Sequence, residues 1–138
     1  MDTPGAAHVY CTAPMRGIRG ATQIASNTVQ DLYEGVVELC GALNAQNHLT
    51  QAEIVWAIFT VTHDLDADFP ARAAREAGGW SRVPMICSQE IPVPGSLPRV
   101  VRVLLHVDGG TNADARHVYL RGAQALRPDL AGRMPLAR

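Results

Sequence analysis

The sequence predicts an α/β (α+β) domain built on a single β-sheet with helices packed on one face, and three stretches predict it. Val29, Leu32, Val36, Leu39, Cys40 and Leu43 recur at helical spacing, which draws one apolar stripe along about four turns of helix. Residues 54–62, IVWAIFTVT, are β-branched and aromatic without a charge, as expected of a central strand covered on both faces or lying at a subunit contact. Residues 99–107, RVVRVLLHV, set Val101, Val103, Leu105 and Val107 on one face and Val100, Arg102, Leu104 and His106 on the other, because a strand has a side-chain period of two.

The remaining elements follow in chain order. Residues 1–15 read as an N-terminal extension, with Pro4, Gly5 and Pro14 and little periodicity. Residues 16–24 form a first strand in which Gly17 and Gly20 permit close backbone approach. Ser26 or Asn27 caps the long helix, which ends near Asn47. Thr50 and Glu53 have capping-box spacing and make one turn before the apolar strand. Asp66 or Asp68 caps a short second helix with Pro70 in its first turn, and Gly78-Gly79 stops it. A short strand at 83–87, a stiff loop at 91–95, the alternating strand 99–107, another short strand at 116–120 and a last helical turn at 121–127 complete the order. Residues 131–138 form a Pro-containing tail. Strands and helices in this order build one sheet with helices on a face.

At 138 residues the chain suffices for one domain with its own core. The formal charge of −1 argues against generic attraction to nucleic acid or to an anionic membrane surface. No run is long and apolar enough to span a membrane, and the N-terminus has no positive region leading into an apolar block, so it does not read as a signal peptide. Cys11, Cys40 and Cys87 form neither a disulfide framework nor a zinc pattern, which fits a reducing cytoplasmic setting. All twelve basic residues are arginine and none is lysine. A GC-rich genome accounts for that bias, but it also supplies forks that match carboxylates bidentately.

Arg102 is the sharpest chemical signal. A guanidinium among Val and Leu at mid-strand is costly to desolvate unless an anion meets it. That anion is a ligand or an internal carboxylate, or else the strand is an edge with that face in water. Glu90, which follows Cys87, is the natural internal partner. Arg19 lies in the Gly-flanked strand, where a ligand and the backbone can approach closely or where water solvates the charge. Arg72 and Arg75 fall with Glu76 on the short helix, whose face water can also solvate. His117 and Tyr119 share the short strand, and a lone histidine in a strand is commonly a hydrogen-bonded core residue. There is no Gly-rich phosphate loop, no histidine or cysteine metal spacing and no serine elbow, and no base is tied to Cys87 by sequence. Several arginines, one glutamate and one tyrosine suit electrostatic recognition of a carboxylated molecule.

Six blocks in order carry a resemblance to a known family: RGIRGAT at 16–22, DFPARAAR at 68–75, GWSRVPMICSQE at 79–90, RVVRVLLHV at 99–107, RHVYL at 116–120 and LRPDL at 126–130. Together they resemble the small single-domain chorismate mutases of the Bacillus type, over residues 16–130. The resemblance implies a homotrimer with a barrel-like β core, active sites at subunit interfaces and no cofactor. It implies the rearrangement of chorismate to prephenate on the route to phenylalanine and tyrosine, by electrostatic stabilisation and conformational restriction without a covalent intermediate. It further implies that Arg102 donates to the ether oxygen of the breaking bond, that Arg19 holds a carboxylate assisted by Tyr119, and that Glu90 accepts from the ring hydroxyl with Cys87 beside it. Phe69, Arg72 and Arg75 come from the neighbouring subunit, and Leu126 and Arg127 from the tail that closes the pocket.

This chain departs from the family pattern in places. Arg72 stands where lysine is frequent, Ile86 where threonine is common, and the stretch before Arg116 is about one residue short. The alternatives are an imine deaminase-like enzyme on a similar trimeric scaffold and a non-catalytic trimer that binds an aromatic-pathway metabolite. Arg19, Glu90 and Arg102 together with the 79–90 block favour the mutase.

Overall fold

The computed structural model describes residues 15–109 and 114–129. The extension read from the sequence lies outside the described residues up to position 14, as does the tail at 131–138. Met15, assigned to that extension, is instead the first residue of strand β1, Met15–Gln23. There follow α1 (Val29–Asn47), a 3-10 turn (Gln51–Glu53), β2 (Ile54–Val61) and α2 (Pro70–Glu76). Strands β3 (Met85–Gln89), β4 (Val100–Asp108) and β5 (Val118–Leu120) lead to a second 3-10 turn, Arg121–Ala125.

The five strands make one mixed sheet in the order β3-β2-β4-β1-β5. β4 pairs antiparallel with β1 and β2, and the outer strands β3 and β5 run parallel to β2 and β1. The central strand is therefore β4. The apolar 54–62 stretch becomes β2, one strand in from the edge, and in the single chain only one of its faces is covered. A bulge at Val55 shifts its phase, so that Ile54, Ala57 and Phe59 all face the core while the extra residue is pushed outward.

α1 lies across one face of the sheet. Leu32, Val36, Leu39, Cys40 and Leu43 are buried and join Val101, Val103, Leu105 and Val107 of β4 in one apolar cluster with Phe59 and Trp80. Truncating one of these leucines to alanine costs about 2–5 kcal/mol. Val29, placed in the stripe by its spacing, is half exposed, because it occupies the first helical turn before the helix reaches the sheet. The cap is Thr28, whose hydroxyl accepts from the Asp31 N–H at 3.1 Å. Ser26 bonds the Asp31 side chain and Asn27 ties to Asp66. The Thr50–Glu53 capping box forms as expected. At α2 the cap position is Phe69, with Asp68 accepting from its N–H at 2.7 Å.

At Gly20 the strand passes close under the helix: a Cβ there would come within 2.9 Å of Leu43 Cδ1. Gly17 has nothing within 4 Å and permits no such approach. Among the described residues, no α-helix lies on the second face of the sheet; only the 3-10 turn Arg121–Ala125 reaches it, where Ala123 packs on Ala21 and Tyr119. Arg19, Trp56, Ile58, Thr60, Arg102, Leu104 and His106 stand on it, and Met15 and Ile86 are 67% and 63% exposed. No helix among the described residues is long and apolar enough to cross a membrane.

Candidate active site

A cavity of about 330 Å³ opens on that second face, lined by Arg19, Gly20, Ala21, Ile58, Thr60, Glu90, Arg102, Val103, Leu104 and Tyr119. All five strands or their ends supply it. Register places Arg102 opposite both Thr60 and Ala21, and Ala21 opposite Tyr119. Because side chains alternate, the residues two positions apart on β4 and β1 share this face. Glu90 follows β3 directly, and its N–H bonds to the Val61 carbonyl at 2.8 Å, which anchors it beside β2.

Arg102 and Glu90 do stand together. Arg102 Nε is 3.2 Å from Glu90 Oε2, but the N–H does not point at that oxygen, so Nε is buried without a hydrogen-bond partner. The same oxygen accepts from the Thr60 hydroxyl. The Tyr119 hydroxyl is likewise buried and unpartnered. Arg19 makes no ion pair among the described residues. Buried donors in folded proteins are almost always satisfied, so two unsatisfied donors facing one cavity, with a free guanidinium beside them, describe a place prepared for an acceptor-rich anion.

Phe69, Arg72, Arg75 and Cys87 line a different cavity of about 450 Å³ with Ala71, Met85 and Ile86. Within one chain the structure does not bring them to Arg102. The alternation of β3 explains the separation: Cys87 pairs with Phe59 and, like Met85, packs against the helix-covered core, whereas Glu90 reaches the open face. Arg72 is held by its own helix, with Asp68 and Glu76 each at 3.1 Å. Hydrogen bonding to Glu76 foremost, and both carboxylate charges, push its pKa up.

Leu126 packs on Ala21, Tyr119 and Ala123 and so reaches the cavity wall through Tyr119. Arg127 forks onto Asp129 at 3.0 and 2.8 Å, a bond that raises its pKa. Cys40, buried under α1, has its thiol pushed up to about 12 by burial, so it is not a nucleophile at neutral pH.

Sequence reasoning misses Thr60 and His117. Thr60 sits in a charge-free strand where nothing distinguishes it until the pairing with β4 is known. His117 reads from the sequence as a hydrogen-bonded core histidine, and it is hydrogen-bonded, but to the backbone of Arg19. Among the described residues, no group of histidine, cysteine, aspartate or glutamate side chains is arranged to hold a metal ion.

The chain matches the profile of the family described as chorismate mutase type I over residues 15–130. It is 48% identical to the chorismate mutase AroH of Thermus thermophilus, an alignment that covers 84% of this chain and 96% of that protein. It is 39% identical to the AroH of Bacillus subtilis, covering 85% and 93%. Its backbone superposes on a solved chorismate mutase from Clostridium thermocellum with a TM-score of 0.75 at 42% identity, over 80% of this chain and 98% of that one.

Proposed function

This chain belongs to the type I chorismate mutase family, and we propose that it rearranges chorismate to prephenate in the cavity on the open sheet face. The observation that carries the assignment is the pair of buried, unpartnered donors at Arg102 and Tyr119, set beside the unpaired Arg19. Chorismate is a flexible dicarboxylate, and its 3,3-sigmatropic shift breaks one ether C–O bond as one C–C bond forms. Every atom is retained and no proton leaves. The reaction therefore calls for no nucleophile, general base or cofactor. What it needs is the compact reactive conformer, an orientation effect, and positive charge where the ether oxygen becomes negative.

The residues supply both. Arg19 takes a substrate carboxylate as a fork, with the Tyr119 hydroxyl assisting. Glu90, steadied by Thr60, accepts from the ring hydroxyl. Arg102 presents its donor to the ether oxygen. Because the guanidinium is already in place on a central strand, no dipole has to reorganise as charge develops, and its contribution is largest in the transition state.

The same reading makes the protein a homotrimer with a barrel-like β core. Support comes from the open face, too apolar at Met15, Ile58, Ile86 and Leu104 to be left in water, and from the two separate cavities. Phe69, Arg72, Arg75 and Cys87 of one copy then complete the Arg102 cavity of the next, with Leu126 and Arg127 closing over it. The free thiols of Cys40 and Cys87 suit a cytoplasmic setting.

Following loss of chorismate absorbance tests the function. Turnover is expected, and its absence at saturating chorismate leaves only the deaminase-like or metabolite-binding readings. A solution mass equal to one subunit overturns the shared site.

A further inference from the structure

β5 begins one residue too late to pair with Arg19. Its parallel register with β1 runs from Gly20 opposite Val118 to Thr22 opposite Leu120. The Arg19 N–H, directed at that edge, meets a side chain instead of a carbonyl and donates to His117 Nδ1 at 3.0 Å. A backbone amide can only donate, so Nδ1 keeps its lone pair and the ring proton sits on Nε2. On the other side of β1, Arg19 pairs with Leu104 of β4. His117 thus closes the second flank of the Arg19 peptide, from which the guanidinium extends into the cavity. The histidine itself is not part of the cavity wall.

We infer that His117 is a positioning residue for Arg19, holding its backbone through Nδ1 so that the guanidinium meets the substrate carboxylate, and that protonating the ring releases that hold. The inference rests on the reading that Arg19 grips a carboxylate of chorismate. A doubly protonated imidazole has no acceptor at Nδ1 and sets one N–H against another. The surroundings resist that state: burial first, then the positive charges of Arg19 and Arg127, lower the ring's pKa below its ordinary value of 6.5. The charged groups about it are Arg19 on β1, Arg127 beyond the second 3-10 turn with its partner Asp129, and Arg116 adjoining it in the chain. The ring is therefore neutral at and above the ordinary histidine range, and the hold is lost only as pH falls through the lowered pKa.

Steady-state kinetics and NMR on the full chain test this. His117→Ala is expected to raise KM about tenfold with kcat within about twofold, since a ground-state grip weakens when one hydrogen bond is lost. His117→Asn, whose Oδ1 stands where Nδ1 stood, recovers most of that KM, while His117→Gln does not. The acid limb of kcat/KM that follows the ring in the wild type disappears in His117→Asn. Without substrate, ring nitrogen shifts in the wild type show the Nε2–H tautomer. An unchanged KM in His117→Ala, equal losses in the Asn and Gln variants, or a proton on Nδ1 overturns the inference. Loss of all turnover in the wild type instead sinks the reading of the cavity, and the tautomer result still decides the contact. If His117→Ala fails to fold, the contrast between the Asn and Gln variants and the wild-type spectrum decides between these outcomes.

Discussion

The cavities at Arg102 and at Arg72 differ in whether the hydrogen-bond donors of their arginines are already spent. On the open sheet face, Arg102 Nε lies 3.2 Å from Glu90 yet is buried without a hydrogen bond, as is the Tyr119 hydroxyl, and Arg19 has no anion among the described residues. At the edge of β3, Arg72 is pinned between Asp68 and Glu76 on the exposed face of α2. An arginine fixed mid-strand cannot reach round for a partner of its choosing, whereas one on a helix finds carboxylates one turn away on either side. The first kind of site keeps its donors for a ligand. The second keeps its helix together and contributes shape and residual charge.

The strongest way to break that comparison is to remove the unspent donor. Arg102→Ala is expected to fold, because the face it occupies is open, and to lose at least ~10³ in kcat, the scale of deleting a preorganised transition-state donor. Near-normal turnover would falsify its assigned role. Arg75→Ala, at the other cavity, is expected to lower kcat/KM about ten- to a hundredfold, the worth of one charge-assisted hydrogen bond. Mixing the two impaired variants and allowing subunits to exchange sharpens the point. If each site draws Arg102 from one copy and Arg75 from the next, some mixed sites carry neither lesion and the mixture exceeds the sum of its components. If each site lies within one chain, every site inherits a lesion and the mixture gains nothing over its components.

A milder cut tests the neighbour that sequence reading misses. Thr60→Val removes the hydroxyl that holds Glu90 Oε2 and leaves a β-branched residue suited to the strand. Glu90 is then free to turn onto Arg102 and occupy its donor. The expected loss is about tenfold in kcat/KM, from one hydrogen bond, with thermal stability little changed. Unaltered kinetics mean that Glu90 is oriented by something else.

What is legible in the sequence is what local pattern controls. The alternation in 99–107 places Arg102 on the face away from the core, the helical spacing of Leu32 to Leu43 finds the covering helix, and the Thr50–Glu53 spacing finds its capping box. What is not legible depends on pairing between distant segments. The apolarity of 54–62 suggests the centre of the sheet; β2 is indeed an interior strand, paired with β3 and β4, but the middle of the five is β4. Side-chain composition reports what covers a strand, not which strands flank it. For the same reason Thr60 carries no signal and His117 only that of a hydrogen-bonded histidine: each matters through the register that sets it beside Glu90 or Arg19. Cys87 and Glu90, three residues apart, look like neighbours in one site, but the strand's alternation and its end send them to different cavities of the chain.

The smallest expected effect is also the one that bears most directly on the distinction between engaged and free arginines. Arg72 and Arg75 lie on the same short helix and line the same cavity, but only Arg72 has both flanking carboxylates at 3.1 Å. If those pairs persist when copies assemble, Arg72 brings no unspent donor to a neighbouring site, and Arg72→Ala should change KM less than about threefold, in line with the modest worth of exposed ion pairs. A loss as large as that of Arg75→Ala would show that the helix gives up its own pairs to bind substrate. The difference between the two cavities would then be a property of the isolated chain, erased on assembly.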